Sequence, residues 1–564
     1  MRGLSHLGNV MSKVALSCTL SAAISCTASE SDKKEATDPV EDASDALFAL
    51  PHRVEVAVEL APADWQKLRS EGRGVSALAG DLTPYEYTYF PATVTVDGVR
   101  HEQSAVRKKG FLGSLSALRP SLKIQFDREI KGAAHAGMHE LTLNNNRQDP
   151  SNTHQCLAYR LYARAGLPAP RCNLAHVVVN GEDLGTFSNV ESIDKAFLAR
   201  HFDDPSGNLY EAQRSDFVAG EVDRIELKTN KKKGERSDIQ AIVTALNSSD
   251  AELPSALGKV IDLQSFRSAW ALDVLMGNWD GYSGNANNYQ IYHDPISDQF
   301  FFLPWGADAA FQRSNPFDVV NTSIALYAKG IVARRLYALP AERALYRQRL
   351  SELNEALWDE TLLLSEVDQI AQNAADTDPA LLDKQRNLIR TQKAQMRTAL
   401  NEPAPEWVAL DGQRSPCSAM TSNVQGTFST MWGDLDVMTP EMGHGSVALS
   451  VDGNPITAGW LGKAGLDPNS GLGTGPVIRL ATGLQDGTVL SVHLQMAPNM
   501  LKPGVTAFHG VETVGALVVV KDGRPRIVGF IGDGAITLER GETRTDAPVV
   551  GSFAGQLVQI DCMR

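Results

Sequence analysis

The sequence predicts an α+β chain in three successive parts: a β-rich part, a mostly helical part, and an all-β sandwich or barrel. Three observations carry this. Apolar and polar residues alternate with period two over much of residues 47–210. Apolar residues recur at three- and four-residue steps from about 237 to 405. Period-two strands separated by Asp-Gly turns return over 410–564. Composition agrees: 43% hydrophobic and 21% charged residues describe a chain that buries cores. A net charge of −14 excludes a general nucleic-acid binder, which needs a surplus of Lys and Arg against phosphate.

The N-terminus comes first. Arg2 and Lys13 supply positive charge, and the apolar stretch 14–24 is too short to span a bilayer. It ends in Ala23-Ile24-Ser25-Cys26, which resembles a bacterial lipobox. This predicts a lipoprotein signal peptide over 1–25 and a membrane anchor at Cys26; Cys18 as the lipidated residue and a plain secreted protein are the alternatives. Residues 26–46 are Ser-, Asp- and Glu-rich without aromatics, and predict a disordered acidic tether. Export favours paired thiols. Cys156 with Cys172 would join a helix to the following strand, and Cys417 with Cys562 would clasp the last part. No C-x-x-C pair supports a zinc ribbon or thioredoxin-like site.

Within 47–405, RVEVAVEL reads as a strand and Ala61-Pro62-Ala63-Asp64 opens a helix. Hairpins turn at Asp97-Gly98 and Asn180-Gly181. Residues 150–166 read as a helix stopped by Gly166. SDIQAIVTALN, SFRSAWALDVLMGN and AERALYRQRLSELNEALW have helical spacing, and two short strands, NYQIY and QFFFLPW, sit at the seam. Over 410–564 the strands VALSVDGNPI, VIRLATGLQDGTVLSVHLQ and ALVVVKDGRPRIVGFIG follow.

H-E-x-x-H, G-x-S-x-G and Walker motifs are absent, and the histidines lack metal-ligand spacing. What remains fits phosphoryl transfer. A strand–turn–strand carries Lys108, Lys109, Gly110, Gly113 and Ser114, whose backbone could approach phosphates or simply turn a hairpin. Lys123 follows on the next strand. Asp280 in G-N-W-D-G, Asn288 eight positions on and Asp308 after the next strand give carboxylate, carboxamide, carboxylate around one hairpin. That is the order of a nucleophile-orienting Asp followed by oxygen ligands for Mg²⁺, and equally the order of ordinary turn residues. The run Lys228–Lys233 with Arg236 is the main basic cluster; it could attract an acidic peptide or a nucleotide, and reads first as a solvated loop.

Nine phrases together resemble the CotH kinase family, the atypical kinases related to spore coat protein H. They are VRKKG (106–110), SLKIQF (121–126), LNNNRQDPS (143–151), AGLPAPR (165–171), VVNGEDLGTFSNVESID (178–194), GNLYEA (207–212), GNWDG (277–281), NNYQIY (287–292) and FLPWGAD (302–308). The resemblance implies a divergent two-lobed kinase-like domain over 47–405, with a β-rich N-lobe to about 210 and a helical C-lobe from about 211. It implies ATP and Mg²⁺ or Mn²⁺. By residue it implies Lys123 as the phosphate-binding lysine and Gly110, Gly113 and Ser114 as the phosphate-covering turn. Glu191 matches an acidic position near the lobe junction, its role open between hinge contact and ion pair. Asp280 matches the catalytic aspartate, and Asn288 and Asp308 the metal ligands. Many members carry Asp directly after Pro-Trp, where this chain has Gly306. Asp308, two positions on, would share that face of an extended segment.

The reading that follows is an exported, lipid-anchored kinase acting on Ser, Thr or Tyr of an envelope or surface protein. A catalytically inert envelope scaffold or adhesion module, with 410–564 as its binding part, is the alternative. A carbohydrate-active enzyme using Asp280 and Asp308 as paired carboxylates is a third.

Overall fold

A computed structural model describes residues 44–72, 85–111, 114–313, 321–408, 419–435, 446–456, 459–466, 475–496, 500–508, 513–521 and 524–560. The expected signal peptide, Cys26, most of the tether, Gly113 and the expected Cys417–Cys562 pair lie outside these residues.

Among the described residues a closed seven-stranded barrel comes first, in the order β1-β2-β3-β4-β5-β7-β6. Its strands are β1 (Arg53–Glu59), β2 (Phe90–Val96), β3 (Val99–Lys109), β4 (Ser121–Gln125), β5 (Glu140–Asn144), β6 (Cys172–Val179) and β7 (Glu182–Val190). Period two builds it. Val54, Val56 and Val58 point into the core while Glu55 and Glu59 face water. The β2–β3 and β6–β7 hairpins turn at Asp97-Gly98 and Asn180-Gly181, and all four residues have positive φ, as a two-residue hairpin turn of matching twist requires. Helix α1 (Pro62–Ser70) follows β1, and α2 (His154–Arg164) lies between β5 and β6. A disulfide joins Cys156 of α2 to Cys172 at the start of β6, with the Cα atoms 4.9 Å apart.

A seam sheet comes next. Helix α3 (Lys195–His201) leads to β8 (Leu209–Ala212) and β9 (Glu226–Leu227), which join β10 (Tyr289–Asp294) and β11 (Gln299–Pro304) in the order β11-β10-β8-β9. Around it pack α4 (Ser237–Leu246), α5 (Leu253–Val260), α6 (Leu263–Met276), α7 (Tyr282–Asn285), α8 (Ile331–Ala338), α9 (Pro340–Leu357), α10 (Glu360–Gln372) and α11 (Pro379–Asn401). Asp262 caps α6 by accepting from the Ser265 amide, and Gly277 ends it in the left-handed region. Trp270 of α6 stacks on Tyr346 of α9 at 3.9 Å, inside a core that also takes in the apolar face of α2.

The last part is β12 (Ala419–Met431), β13 (Ser446–Val451), β14 (Asn454–Pro455), β15 (Leu461–Leu466), β16 (Pro476–Gly483), β17 (Val489–Met496), β18 (Gly504–Phe508), β19 (Thr513–Lys521), β20 (Arg524–Arg540) and β21 (Pro548–Ile560). Among the described residues these form one antiparallel sheet, with β18 paired to β20 off the main path. The sheet curls: Trp432, just past β12, bridges Ala464 of the edge strand β15, and one apolar cluster fills the inside. The architecture is therefore α+β with a β-rich C-terminal part. A single curled sheet stands where two packed sheets were one of the two expectations.

Candidate functional site

A cavity of about 340 Å³ opens between the outer face of β3–β5 and the loops around the seam sheet. Lys109, Gly110, Ser114, Lys123, Asp280, Asn288 and Asp308 all line it. Residues up to 199 positions apart (308 minus 109) are thus brought to one surface.

The barrel supplies the cationic wall. In β4, Leu122 and Ile124 face the core, so alternation turns Lys123 outward, where it pairs with Glu140 at 2.6 Å. The β3–β4 register sets Arg107 opposite Lys123 and Lys109 opposite Ser121, so Lys109 shares that face. Its ammonium donates to the Asn144 carboxamide oxygen and lies 5.7 Å from the Trp305 ring centroid. Burial pushes the Lys109 amine down to about 8, helped by the Lys123 charge and opposed by Asp308. The glycine turn is held from several sides. Gly110 has φ +104°, and a Cβ there would run into the Ser114 hydroxyl. That hydroxyl donates to the Phe111 carbonyl at 2.9 Å, Asn145 donates to the Ser114 carbonyl at 2.8 Å, and the Tyr87 hydroxyl donates to the Gly110 carbonyl at 2.6 Å.

The acidic wall hangs on a buried brace. Asp273, near the end of α6, accepts from the Tyr162 hydroxyl at 2.5 Å, the Asn278 amide at 2.9 Å and the Ser283 hydroxyl at 2.9 Å. These bonds clamp the loop that carries Asp280. Asp280 in turn accepts from the side-chain amides of Asn285, Asn287 and Asn288 at 2.7, 3.1 and 2.8 Å. Burial raises its pKa against those bonds and against the charges of Arg214 and Lys329. Asp308 is pushed up to about 7, first by burial and then by the negative charge of Asp280.

Gly306 explains its own presence. It adopts φ +56°, and a Cβ there would stand 2.9 Å from the Asn288 carboxamide carbon, so no side chain fits while Asn288 holds this position. The route to Asp308 also differs from the extended segment expected. After the left-handed Gly306, residues Ala307–Ala309 form a 3₁₀ turn. That turn, and not alternation along a strand, delivers Asp308 to the cavity.

Glu191 requires correction as a cofactor-binding residue. It does not line the cavity; Ser192 and Ile193 do. The Glu191 carboxylate is fully buried between the guanidinium groups of Arg171, at 2.8 Å, and Arg200. These hold its pKa low although burial alone would raise it. Of its two open roles, the ion pair is the one the geometry supports. Gly113 lies outside the described residues. Lys228 departs from a solvated loop: it lines the cavity and pairs with Glu211 at 2.7 Å and Glu226 at 3.1 Å, while Lys231 pairs with Glu226 at 2.8 Å. Sequence reasoning passed over Glu211 and named Lys109 only as part of the turn, without a role for its side chain. Lys109 alternates with the core residue Val106 along β3, and that pattern could have placed it beside Lys123.

Asp280, Asn288 and Asp308 offer hard oxygen donors; the raised pKa of Asp308 comes first from burial and then from the Asp280 charge, and a divalent cation would relieve that second part. The donor set fits Mg²⁺ or Mn²⁺. Among the described residues no group of three or more His, Cys, Asp and Glu side chains could hold a metal.

Comparison with known proteins places this geometry. The inner spore coat protein H of Bacillus subtilis (strain 168) is 27% identical over 192 residues, which are 31% of this chain and 51% of that protein. The chain thus spans about half the length of the curated relative it matches. The crystal structure of the Helicobacter pylori proinflammatory kinase CtkA aligns over 52% of this chain and 93% of its own, at 11% identity and a TM-score of 0.29. That score is too low to carry an argument about fold. The family profile described as CotH kinase protein matches residues 106–402, a span that begins in β3 and ends just past α11 and so contains the cationic and acidic residues of the cavity. The chain belongs to the CotH kinase protein family.

Proposed function

We propose that the cavity is the active site of an atypical kinase, with the barrel as a nucleotide-holding lobe and the helical part as the lobe that carries the catalytic carboxylates. The observation that carries this reading is the meeting of Lys109, Lys123, Asp280, Asn288 and Asp308 in one cleft. Lys123 and Lys109 would neutralise the phosphates, and the Gly110–Ser114 turn would cover them. Asn288 and Asp308 would hold Mg²⁺ or Mn²⁺, which would offset charge on the transferring phosphoryl group. The acceptor hydroxyl oxygen bonds to the γ-phosphorus, the bond to the bridging oxygen breaks, and ADP leaves with that electron pair. Asp280 receives the hydroxyl proton. Its three amide contacts fix the carboxylate in place, and its raised pKa suits it to hold that proton.

The acceptor we propose is a Ser, Thr or Tyr of an envelope or surface protein. The lipobox-like segment ending at Cys26 supports export, and the coat location in the name of the Bacillus relative is consistent with it. Incubation of the full chain with Mg²⁺ and ATP, read by intact mass, tests the transfer. Wild type should gain phosphoryl groups. Asp280→Ala should lose transfer while keeping nucleotide binding. Asp308→Ala should weaken Mg²⁺-dependent binding by about tenfold or more, roughly 1.4 kcal/mol. Equal transfer by wild type and Asp280→Ala would refute the assignment.

A second reading rests on a specific observation. With Gly306 sterically fixed and Asp308 pushed up to about 7, a cation ligand is only partly ionised at neutral pH. An inert scaffold would show no metal-dependent nucleotide binding at any pH, whereas the kinase should bind more tightly as pH rises from about 6 to 8.

A further inference from the structure

The cavity is not lined by the family region alone. Ile527 and Phe530, both on β20 of the C-terminal sheet, form part of its wall. They lie well beyond residue 402, where the family match ends.

The burial of the sheet points the same way. Ile531 and Leu557 are directly paired and belong to the cluster that fills the inside of the curl. The adjacent row, Ala516–Phe530–Val558, is also directly paired, and alternation sets it on the opposite, outer face. An outer face on water would be polar. These three residues are instead apolar and only 1%, 2% and 0% exposed. Val518 and Ile527 form the next paired step of that face and are buried as well. An apolar outer row that is dry, with two members reaching into the cleft, is a docked face.

We infer that the C-terminal sheet is a built-in gate over the cleft: the outer face of β20, an interior strand paired to β19 and β21, seats against it through Ile527 and Phe530, and ligand entry requires this face to yield. The polar alternative, a sheet that merely trails the family region, leaves the burial of the outer row without a cause. The gate concerns access to the cleft and holds whichever ligand enters.

The test reads access directly. The full-length protein is exposed to a small amine-reactive acetylating ester, and the acetylation rate of Lys109 is followed by peptide mass spectrometry. Ile527→Ala and Phe530→Ala should each speed labelling of Lys109 several-fold, with no change at the exposed Lys67. Phe530→Ala removes a large buried side chain and could unfold the sheet. Ile527→Ala is the milder probe, and protection of the Ile531 amide in hydrogen exchange reports whether the curl is intact. Unchanged Lys109 labelling in a variant with an intact curl would overturn the gate. Mg·ATP binding by the same variants is a separate arm: its absence throughout would remove the kinase reading while the labelling rates still decide the gate.

Discussion

The barrel and the C-terminal sheet are both mostly antiparallel and curled, yet they treat their outer faces differently. Along β1–β3 the barrel buries one face and carries charge on the other. Arg53 pairs with Glu55, His176 bridges Glu55 and Asp183 at 2.9 Å, and Arg100 reaches Glu59. At one end the same outward face carries Lys109 and Lys123, so the alternation that builds the core also builds the cationic wall of the cleft. The C-terminal sheet is dry on both faces only around the Ala516–Phe530–Val558 row, whereas Ala554 and Gln556 farther along β21 are exposed. A second apolar face is costly to leave in water, so it identifies a contact. The cleft is therefore walled by three regions: a cationic barrel face, an acidic loop cluster and an apolar sheet face.

The sharpest way to break this comparison is to place a charge on each outer face. Ala516→Asp should bury a carboxylate without a partner and cost about 4 kcal/mol or more. Thr95→Asp, outward on β2 and opposite Arg100, should stay within about 0.5 kcal/mol. Denaturant midpoints of the full chain measure both, and equal effects would erase the distinction.

Next in size is Glu191. Glu191→Ala should remove the buried carboxylate that Arg200 and Arg171 share, Arg171 keeping Asp45, and cost about 3 kcal/mol, while Mg·ATP affinity of the protein that still folds should be unchanged. A selective loss of nucleotide affinity at unaltered stability would return Glu191 to the cleft.

A smaller effect separates the acidic wall from both sheets. The folded Asp308 carboxyl titrates near 7, above its ordinary value near 3.8. Its neutral form favours the fold, so this contribution is full at about pH 4 and is lost as pH rises through about 7. Asp308→Asn abolishes that loss. Without added cation the variant should gain about 1–2 kcal/mol at about pH 7.5, a figure reduced because the carboxyl reaches cleft water, and nothing near pH 4. Melting curves at the two pH values check the sign.

Much of this was legible in the sequence. Period two marked the barrel strands, Asp97-Gly98 and Asn180-Gly181 marked their turns, and the spacing of Asp280, Asn288 and Asp308 marked one wall of the cleft. What escaped depends on register and on distant partners. Glu191 reads like any acidic residue until Arg171 and Arg200 are seen to enclose it. Lys109 became a site residue only once its register against Ser121 put it beside Lys123. Phe530 reads as ordinary strand alternation, because the cleft it faces is built by residues more than two hundred positions away (530 minus 308 is 222). The turn at Gly306 defeated the extended-chain argument through a left-handed φ, which no hydrophobic pattern reveals.

The central claim is that these walls hold a metal–nucleotide complex. Calorimetric titration of the full chain with ATP, in excess Mg²⁺ and again in excess chelator, tests it most directly. Saturable binding of one ATP per chain with Mg²⁺, lost with chelator and weakened in Asp308→Ala, is the predicted result. No binding in either condition, with Mn²⁺ giving the same blank, would contradict it.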